Sequence, residues 1–277
     1  MNTLAVLLTV HNRKNKTIQC LQSLFSQEES IKGWEMDVYL TDDGSTDGTS
    51  QAITDRFPKV IIIEGDGSLY WNRGMIKSWL KARDRKNYTV YLWLNDDTTL
   101  KKDALRKIIS TYMNNPKCII VGATQASNSE EITYGGAKSY YDQRRIVPNG
   151  EVQKCGIFNG NIVLVPAYVH EKLGTLDPKY SHALGDTDYG LMAEANNIEC
   201  LVSEEILGIC DRNPFPPKWQ NGEIKFKERW QNFISPLGYM PPKEYFYFKR
   251  KHWGLFNAIG SIVLLFCRVI FPRINKY

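Results

Sequence analysis

The sequence predicts an α/β protein: a mostly parallel, Rossmann-like central sheet flanked by helices, extended by a basic, aromatic C-terminal helical tail. Three observations predict it. Apolar runs of strand length alternate with segments of helical spacing through about residue 124, and such alternation implies parallel strands covered on both faces. Two of those runs end directly in acidic pairs, Asp42-Asp43 and Asp96-Asp97, and open α/β sheets take their ligands at strand C-terminal ends. Charge is also divided: residues 225–277 hold ten Lys/Arg and two Glu, a net of +8, whereas residues 1–224 carry 25 Lys/Arg against 28 Asp/Glu, a net of −3. A uniformly basic nucleic-acid binder would not look like this; the split points to an anionic surface met by the tail alone. The chain of 277 residues, 43% hydrophobic, suffices for one large domain plus an appendage. We divide it at 1–224, a catalytic body, and 225–277, a membrane-associating extension.

The elements follow in order. Thr3–Thr9 is a buried strand, a short apolar run rich in leucine and β-branched residues. Lys16–Gln27 carries apolar residues at 18, 21, 24 and 25, which is helical spacing. Met36–Leu40 is the second strand, Thr49–Arg56 a helix ended by Pro58, and Val60–Ile63 the third strand. Gly74–Ala82 is helical, with Met75, Trp79 and Leu80 on one side. Thr89–Leu94 is the fourth strand, Lys102–Met113 a helix followed by Pro116, and Cys118–Ala123 the fifth strand. The polar, turn-rich stretch Ser127–Gly150 reads as a hairpin or a mobile loop over a site. Ile162–Val165 and Ile198–Val202 are further strands, Tyr168–Leu173 and Asp188–Ala195 further helices.

Four clusters carry chemistry. Asp42-Asp43-Gly44-Ser45-Thr46-Asp47 follows the second strand; its carboxylates can accept hydrogen bonds from a base or ribose, while Ser45 or Asp47 could instead cap the next helix. In Gly65–Met75 the glycines permit close backbone approach to a ligand, and Arg73 at a helix start could meet a phosphate. Leu92-Trp93-Leu94-Asn95-Asp96-Asp97 delivers two carboxylates to a strand end, hard oxygen ligands suited to Mg²⁺ or Mn²⁺. His182–Gly190 places Asp186 and Asp188 at a helix N-terminus, where the dipole stabilises them as carboxylates and where two acids are also ordinary capping residues. Upstream, Gly156-Ile157-Phe158-Asn159-Gly160-Asn161 forms a small-residue turn that could floor an acceptor pocket.

Together, Thr9-Val10-His11-Asn12-Arg13, Asp42–Asp47, Asn95-Asp96-Asp97 and Gly185–Ala193 resemble an inverting family 2 glycosyltransferase of the GT-A fold over roughly residues 3–215. Trp71-Asn72-Arg73-Gly74-Met75 gives a finer likeness to bacterial rhamnosyl- and galactofuranosyl-transferases. The resemblance implies transfer of a sugar from a dTDP-rhamnose or UDP-galactose/galactofuranose type of donor to a glycan or polyprenyl-linked acceptor, with Mn²⁺ or Mg²⁺. It places Asp186 as general base. Donor contacts fall to Thr9, Arg13, Asp42, Asp43, Trp71, Arg73 and Asp96, and acceptor contacts to Asn159, Asp188 and Tyr189. Asp97 would ligate the metal. The family's later metal-ligating His is missing from Gly208-Ile209-Cys210-Asp211-Arg212-Asn213, so Asp211 or water would replace it. The alternatives are a nucleotidyltransferase, for which no basic glycine-rich triphosphate loop is present, and a non-catalytic carbohydrate-binding protein of the same fold.

Two features bear on location. The six cysteines contain no CxxC pair and mostly lie in apolar runs, as reduced buried thiols do. Leu4–Val10 runs into His11-Asn12-Arg13-Lys14 without a small-residue cleavage site, so a cytoplasmic body is expected. In the tail, Lys249-Arg250-Lys251-His252-Trp253 precedes Leu255–Phe271, 17 residues interrupted by Asn257 and Arg268. That is short of the ~20 apolar residues of a span. An in-plane helix on the inner face of the plasma membrane is expected, ahead of a spanning helix, a docking helix or an oligomer contact.

Overall fold

The computed structural model describes residues 1–212 and 216–272; Asn213, the last residue of the Gly208–Asn213 motif, lies outside the described residues. Strands β1 (Asn2–Val10), β2 (Trp34–Asp42), β3 (Val60–Glu64) and β4 (Val90–Leu94) alternate with helices α1 (Lys14–Phe25), α2 (Thr49–Arg56) and α3 (Tyr70–Arg85). There follow β5 (Thr99–Leu100), α4 (Ala104–Asn114), β6 (Ile119–Gln125), β7 (Ile132–Tyr134), β8 (Gly136–Ala137), β9 (Gln153–Cys155), β10 (Ile157–Phe158) and β11 (Ile162–Pro166). The chain continues through α5 (Ala167–Leu173), α6 (Gly185–Ala195), β12 (Cys200–Ile209), α7 (Phe226–Ile234) and α8 (Pro242–Ile270).

The main sheet runs β3-β2-β1-β4-β11-β6-β12-β5. Its first four strands are parallel, as the alternation predicts; β11 then enters antiparallel between β4 and β6, so the sheet as a whole is mixed. The strands are apolar on both faces because both faces are covered. Leu4, Val6, Leu8, Leu92 and Leu94 point to one core with Leu21, Leu24 and Ile108. Ala5, Leu7, Tyr91 and Trp93 point to the other with Met75 and Trp79. The period of two along each strand thus divides one apolar run between two cores.

Several boundaries shift from the sequence reading, and each shift has a local cause. Helix α3 starts at Tyr70, not Gly74, because Tyr70 takes a left-handed φ of 56° while its N–H donates to Asp43 Oδ2. Helix α6 starts at Gly185, which places Asp186 inside its first turn. Strand β12 extends to Ile209, pairing with β6 through two register shifts and with β5. The stretch 127–150 supplies a hairpin strand, β7 on β6, and β8, which forms a small ladder with β10.

The C-terminal extension packs on the body. Helix α8 spans 29 residues but breaks at Gly254 (φ 82°, ψ 175°). Before the break, Glu244 accepts from Ser181 N–H and Oγ–H, and Tyr247 donates to Asp177. After it, Leu265 and Val269 bury against Trp219 and Phe233. Trp219, on the body side of the boundary drawn at residue 224, therefore packs with the extension. The opposite face leaves Phe256 90% and Val263 58% exposed.

Candidate active site

A cavity of about 690 Å³ opens at the C-terminal ends of β1 and β4 and is walled by the turn before β11, the start of α6 and the 127–150 segment. Of the residues singled out in the sequence, Arg13, Trp71, Asp96, Asp97, Asn159, Asp186 and Asp211 line it. Strand β4 ends at Leu94, and Asn95 N–H donates to Asn161 O, so the two carboxylates that follow emerge at the sheet edge. Trp71 lies across the floor, its indole N–H donating to Asn95 Oδ1 at 2.7 Å. The ring needs Gly160 beneath it: a Cβ there would sit 2.4 Å from Trp71 Cζ2.

At one end of the cavity, Arg13 donates to Asp97 Oδ2 at 2.8 Å and to Asp96 Oδ1 at 3.3 Å. Burial pushes the Asp96 carboxyl up to about 7; Arg13 opposes this and the Asp97 charge adds to it. Asp97 faces the cavity with Asp96 behind it, and Asp211 lines the same space, its carboxylate accepting from Ser127 N–H and Oγ–H. Cys210 lies beside Asp97, and burial and that carboxylate push its thiol up to about 12, so it stands protonated at neutral pH. Among the described residues no three His, Cys, Asp or Glu form a complete metal cage. This donor set still fits Mg²⁺ or Mn²⁺, which binds through one or two carboxylates and fills its shell with phosphate oxygens and water.

At the other end stands Asp186. Thr187 N–H donates to its Oδ1 at 2.7 Å and Gly160 N–H to its Oδ2 at 3.1 Å. Burial pushes this carboxyl up; the two N–H groups and Arg145 pull the other way without cancelling the rise. A carboxylate so raised is a better proton acceptor than one in water. His182 is pushed down to about 4 by burial and by Arg13, so it stands neutral at pH 7.

Other expectations are corrected. Asp188 and Tyr189 do not face the acceptor side. The helical period turns both from Asp186 into the interior, each 1% exposed. The Asp188 carboxylate accepts from Tyr180 Oη–H (2.9 Å) and Lys251 Nζ–H (2.8 Å) and meets His252 Nε2 at 2.7 Å, while Tyr189 Oη–H donates to Gly174 O. Asp42 and Asp43 lie outside the cavity lining, because their oxygens staple loops: Asp42 accepts from Ser45 N–H and Ser50 Oγ–H, Asp43 from Gly67 and Tyr70 N–H. Thr9 is buried beneath the site, with Gly74 packed on its hydroxyl. Arg73 turns to Pro178 O.

The cavity also gathers residues to which the sequence reading gave no role: Lys16, Tyr140, Arg145, His182 and Arg212. His182 stands in the Asp186 motif, and Arg145 and Tyr140 in the polar stretch read as a loop over a site. No periodicity marks them individually.

Comparison with known proteins accords with this geometry. A family model described as "Glycosyl transferase family 2" matches residues 5–169. Among solved structures, the mannosyltransferase PcManGT from Pyrobaculum calidifontis, in complex with GDP-Man and Mn²⁺, is 13% identical, with a TM-score of 0.56 over 94% of this chain and 74% of that one. Residues 1–349 of S. aureus TarS, in complex with UDP-GlcNAc, are 12% identical, with a TM-score of 0.59 over 100% of this chain and 88% of that one. These likenesses establish the shared α/β fold. No curated protein sequence matches.

Proposed function

The chain belongs to glycosyl transferase family 2, and on that premise we propose that it is an inverting, metal-assisted transferase. It moves a sugar from a nucleoside-diphosphate donor, of the dTDP-rhamnose or UDP-galactose/galactofuranose type, to a hydroxyl of a glycan or lipid-linked acceptor in bacterial surface polysaccharide synthesis. Family membership sets the nucleotidyltransferase alternative aside. The observation that carries the reading is the pairing, across one cavity, of an acidic pair at a strand end with a separate carboxylate of raised pKa.

The chemistry follows from that separation. Asp186 takes the acceptor hydroxyl proton as the oxygen attacks the anomeric carbon from the face opposite the diphosphate. The bond to the diphosphate oxygen breaks and carries its electron pair away, so configuration inverts. The N–H groups of Thr187 and Gly160 hold the Asp186 carboxylate in one orientation before and during proton transfer. Arg13 and Lys16 line the end where charge develops on the leaving group. A Mn²⁺ or Mg²⁺ held by Asp97, with Asp96 adjacent and Asp211 lining the same space, would supply Lewis-acid neutralisation of that charge. Trp71 floors the donor site, and Asp42 and Asp43 shape its nucleotide end through the loops they staple. Asn159 lines the acceptor side.

The test is release of nucleoside diphosphate from a panel of nucleotide sugars with Mn²⁺ or Mg²⁺ and a membrane lipid extract as acceptor source. Metal-dependent release from one donor is expected, lost in Asp97→Ala. Release that survives Asp97→Ala unchanged would overturn the metal assignment.

We also propose that the tail lies in the plane of the inner leaflet, holding a cytoplasmic body at the membrane. Helix α8 as a whole is long and apolar enough to cross a membrane by length and composition. The Gly254 break leaves an apolar segment of roughly 24 Å at the helical rise per residue, short of the ~30 Å hydrocarbon core. One face of that segment is packed on Trp219 and Phe233, and the other exposes Phe256, Val263 and Leu264. Replacing those three with Gln should lower binding to phosphatidylglycerol vesicles at least tenfold in a sedimentation assay, since burying one such side chain is worth about 1.5–3 kcal/mol. Unchanged sedimentation would refute the assignment.

A further inference from the structure

Four cations line the cavity, and they fall into two groups. Arg13 is bonded to Asp96 and Asp97, and Lys16 acts on Asp96 and on Asp211. These serve the donor end. Arg145 and Arg212 lie with Asp186 on the other side. Arg212 is fixed, its guanidinium donating to Ile132 O and Thr133 O and reaching Glu131 at 3.4 Å. Arg145 is held at its backbone by a bridge to Ala137, where the neighbouring Ile146 N–H donates to Gly136 O. Its side chain is half-buried, yet among the described residues it has no hydrogen bond or ion pair. Asp186 acts on it through space, but the Asp186 oxygens are engaged by backbone N–H groups and make no hydrogen bond or ion pair with it.

A half-buried guanidinium without a direct hydrogen bond or ion pair forfeits part of its hydration and gains no hydrogen bond in exchange. An arrangement of that kind is stable in use when a ligand supplies the anion, and Arg presents a planar fork matched to phosphate. On the transferase reading, Arg13, Lys16 and a cation that the acidic pair would hold serve the donor's diphosphate at the opposite end. We propose that Arg145, with Arg212 beside it, is a subsite for a phosphate group carried by the acceptor, close to the hydroxyl that Asp186 deprotonates. The proposal rests on the transferase reading and narrows it: the acceptor is a phosphorylated molecule, anchored by its phosphate so that its hydroxyl meets the base.

The test separates the two ends. The full chain is saturated with Mn²⁺ and the nucleoside diphosphate it binds, and inorganic phosphate is titrated in by calorimetry. Wild type should bind phosphate, Arg145→Gln should bind at least tenfold more weakly, Arg145→Lys should fall between, and nucleoside diphosphate affinity should be the same in all three. Farnesyl diphosphate and glucose 1-phosphate as competitors identify the source. Stronger competition by the isoprenoid assigns a lipid-linked diphosphate, and stronger competition by the sugar assigns a phosphorylated glycan. Equal phosphate affinity in wild type and the folded Arg145→Gln variant would overturn the subsite. So would an equal loss of nucleoside diphosphate binding, which would return Arg145 to the donor end. If no nucleoside diphosphate binds any variant, the transferase reading fails, and the same phosphate titration without it still decides whether Arg145 is an anion site.

Discussion

Asp186→Asn is expected to lower sugar transfer by about 10²–10⁴-fold, the range a general base contributes, while donor affinity stays unchanged. The amide preserves shape, but its one oxygen can accept from only one of the Thr187 and Gly160 N–H groups, so the substitution removes proton acceptance and one of the two orienting hydrogen bonds while keeping the volume of the cavity wall. The wild-type enzyme carries a matching pH signature. Asp186 acts as a base only when ionised, and burial raises its carboxyl above the ordinary range. Activity should therefore fall as pH drops through that raised value, with an acid limb above the ~3.9 of a free aspartate. The check is a pH profile of kcat/KM with donor binding measured in parallel. An acid limb at or below the free value, or loss of donor binding in Asp186→Asn, would remove Asp186 from the base role.

The second large effect is on stability. Asp188→Ala is expected to cost about 3–5 kcal/mol, as expected for breaking a buried ion pair from one side. Its carboxylate is 1% exposed and is met by Tyr180, Lys251 and His252. The His252 ring, 12% exposed, would lose its carboxylate partner in a closed setting, whereas Lys251 keeps Asp177 at 3.1 Å. For a chain of this size the loss corresponds to a fall in Tm on the order of 10 °C. Asp188→Asn should fall between, because the amide keeps an acceptor for Tyr180 but not the charge. Thermal and urea unfolding of the three proteins measure it. A loss below about 1 kcal/mol in Asp188→Ala would show that the extension is held by its apolar contacts alone.

The strands and the acid-bearing strand end were legible because they obey local rules. Val90–Leu94 is apolar on both faces, and whatever follows such a run must emerge at the sheet edge; hence Asp96 and Asp97 could be placed from sequence. Asp186 was legible as a first-turn carboxylate of a helix. Its neighbour Asp188 was not separable from it, because two acids in one turn look alike until the partners are known. Those partners lie 63 and 64 residues downstream. The partners of Asp43 were hidden for a related reason: its two oxygens go to the N–H groups of Gly67 and Tyr70, a loop stapled across 24 and 27 residues. Arg145 sits in a stretch with no period, where only the β8–β10 ladder decides which side chains turn inward.

The break at Gly254 bears on how the enzyme would meet a membrane-bound substrate. A straight α8 would tie the direction of its apolar end to that of its docked end. The left-handed backbone at Gly254, open space on the Cβ side, uncouples the two directions. On the proposed membrane reading, the docked half fixes the catalytic body while the distal half follows the bilayer plane. Enzyme and lipid-linked acceptor then search for one another over a surface rather than through a volume, and the local concentration of acceptor rises accordingly. Modest intrinsic affinity for the acceptor would then suffice for turnover, and product could leave quickly by lateral diffusion.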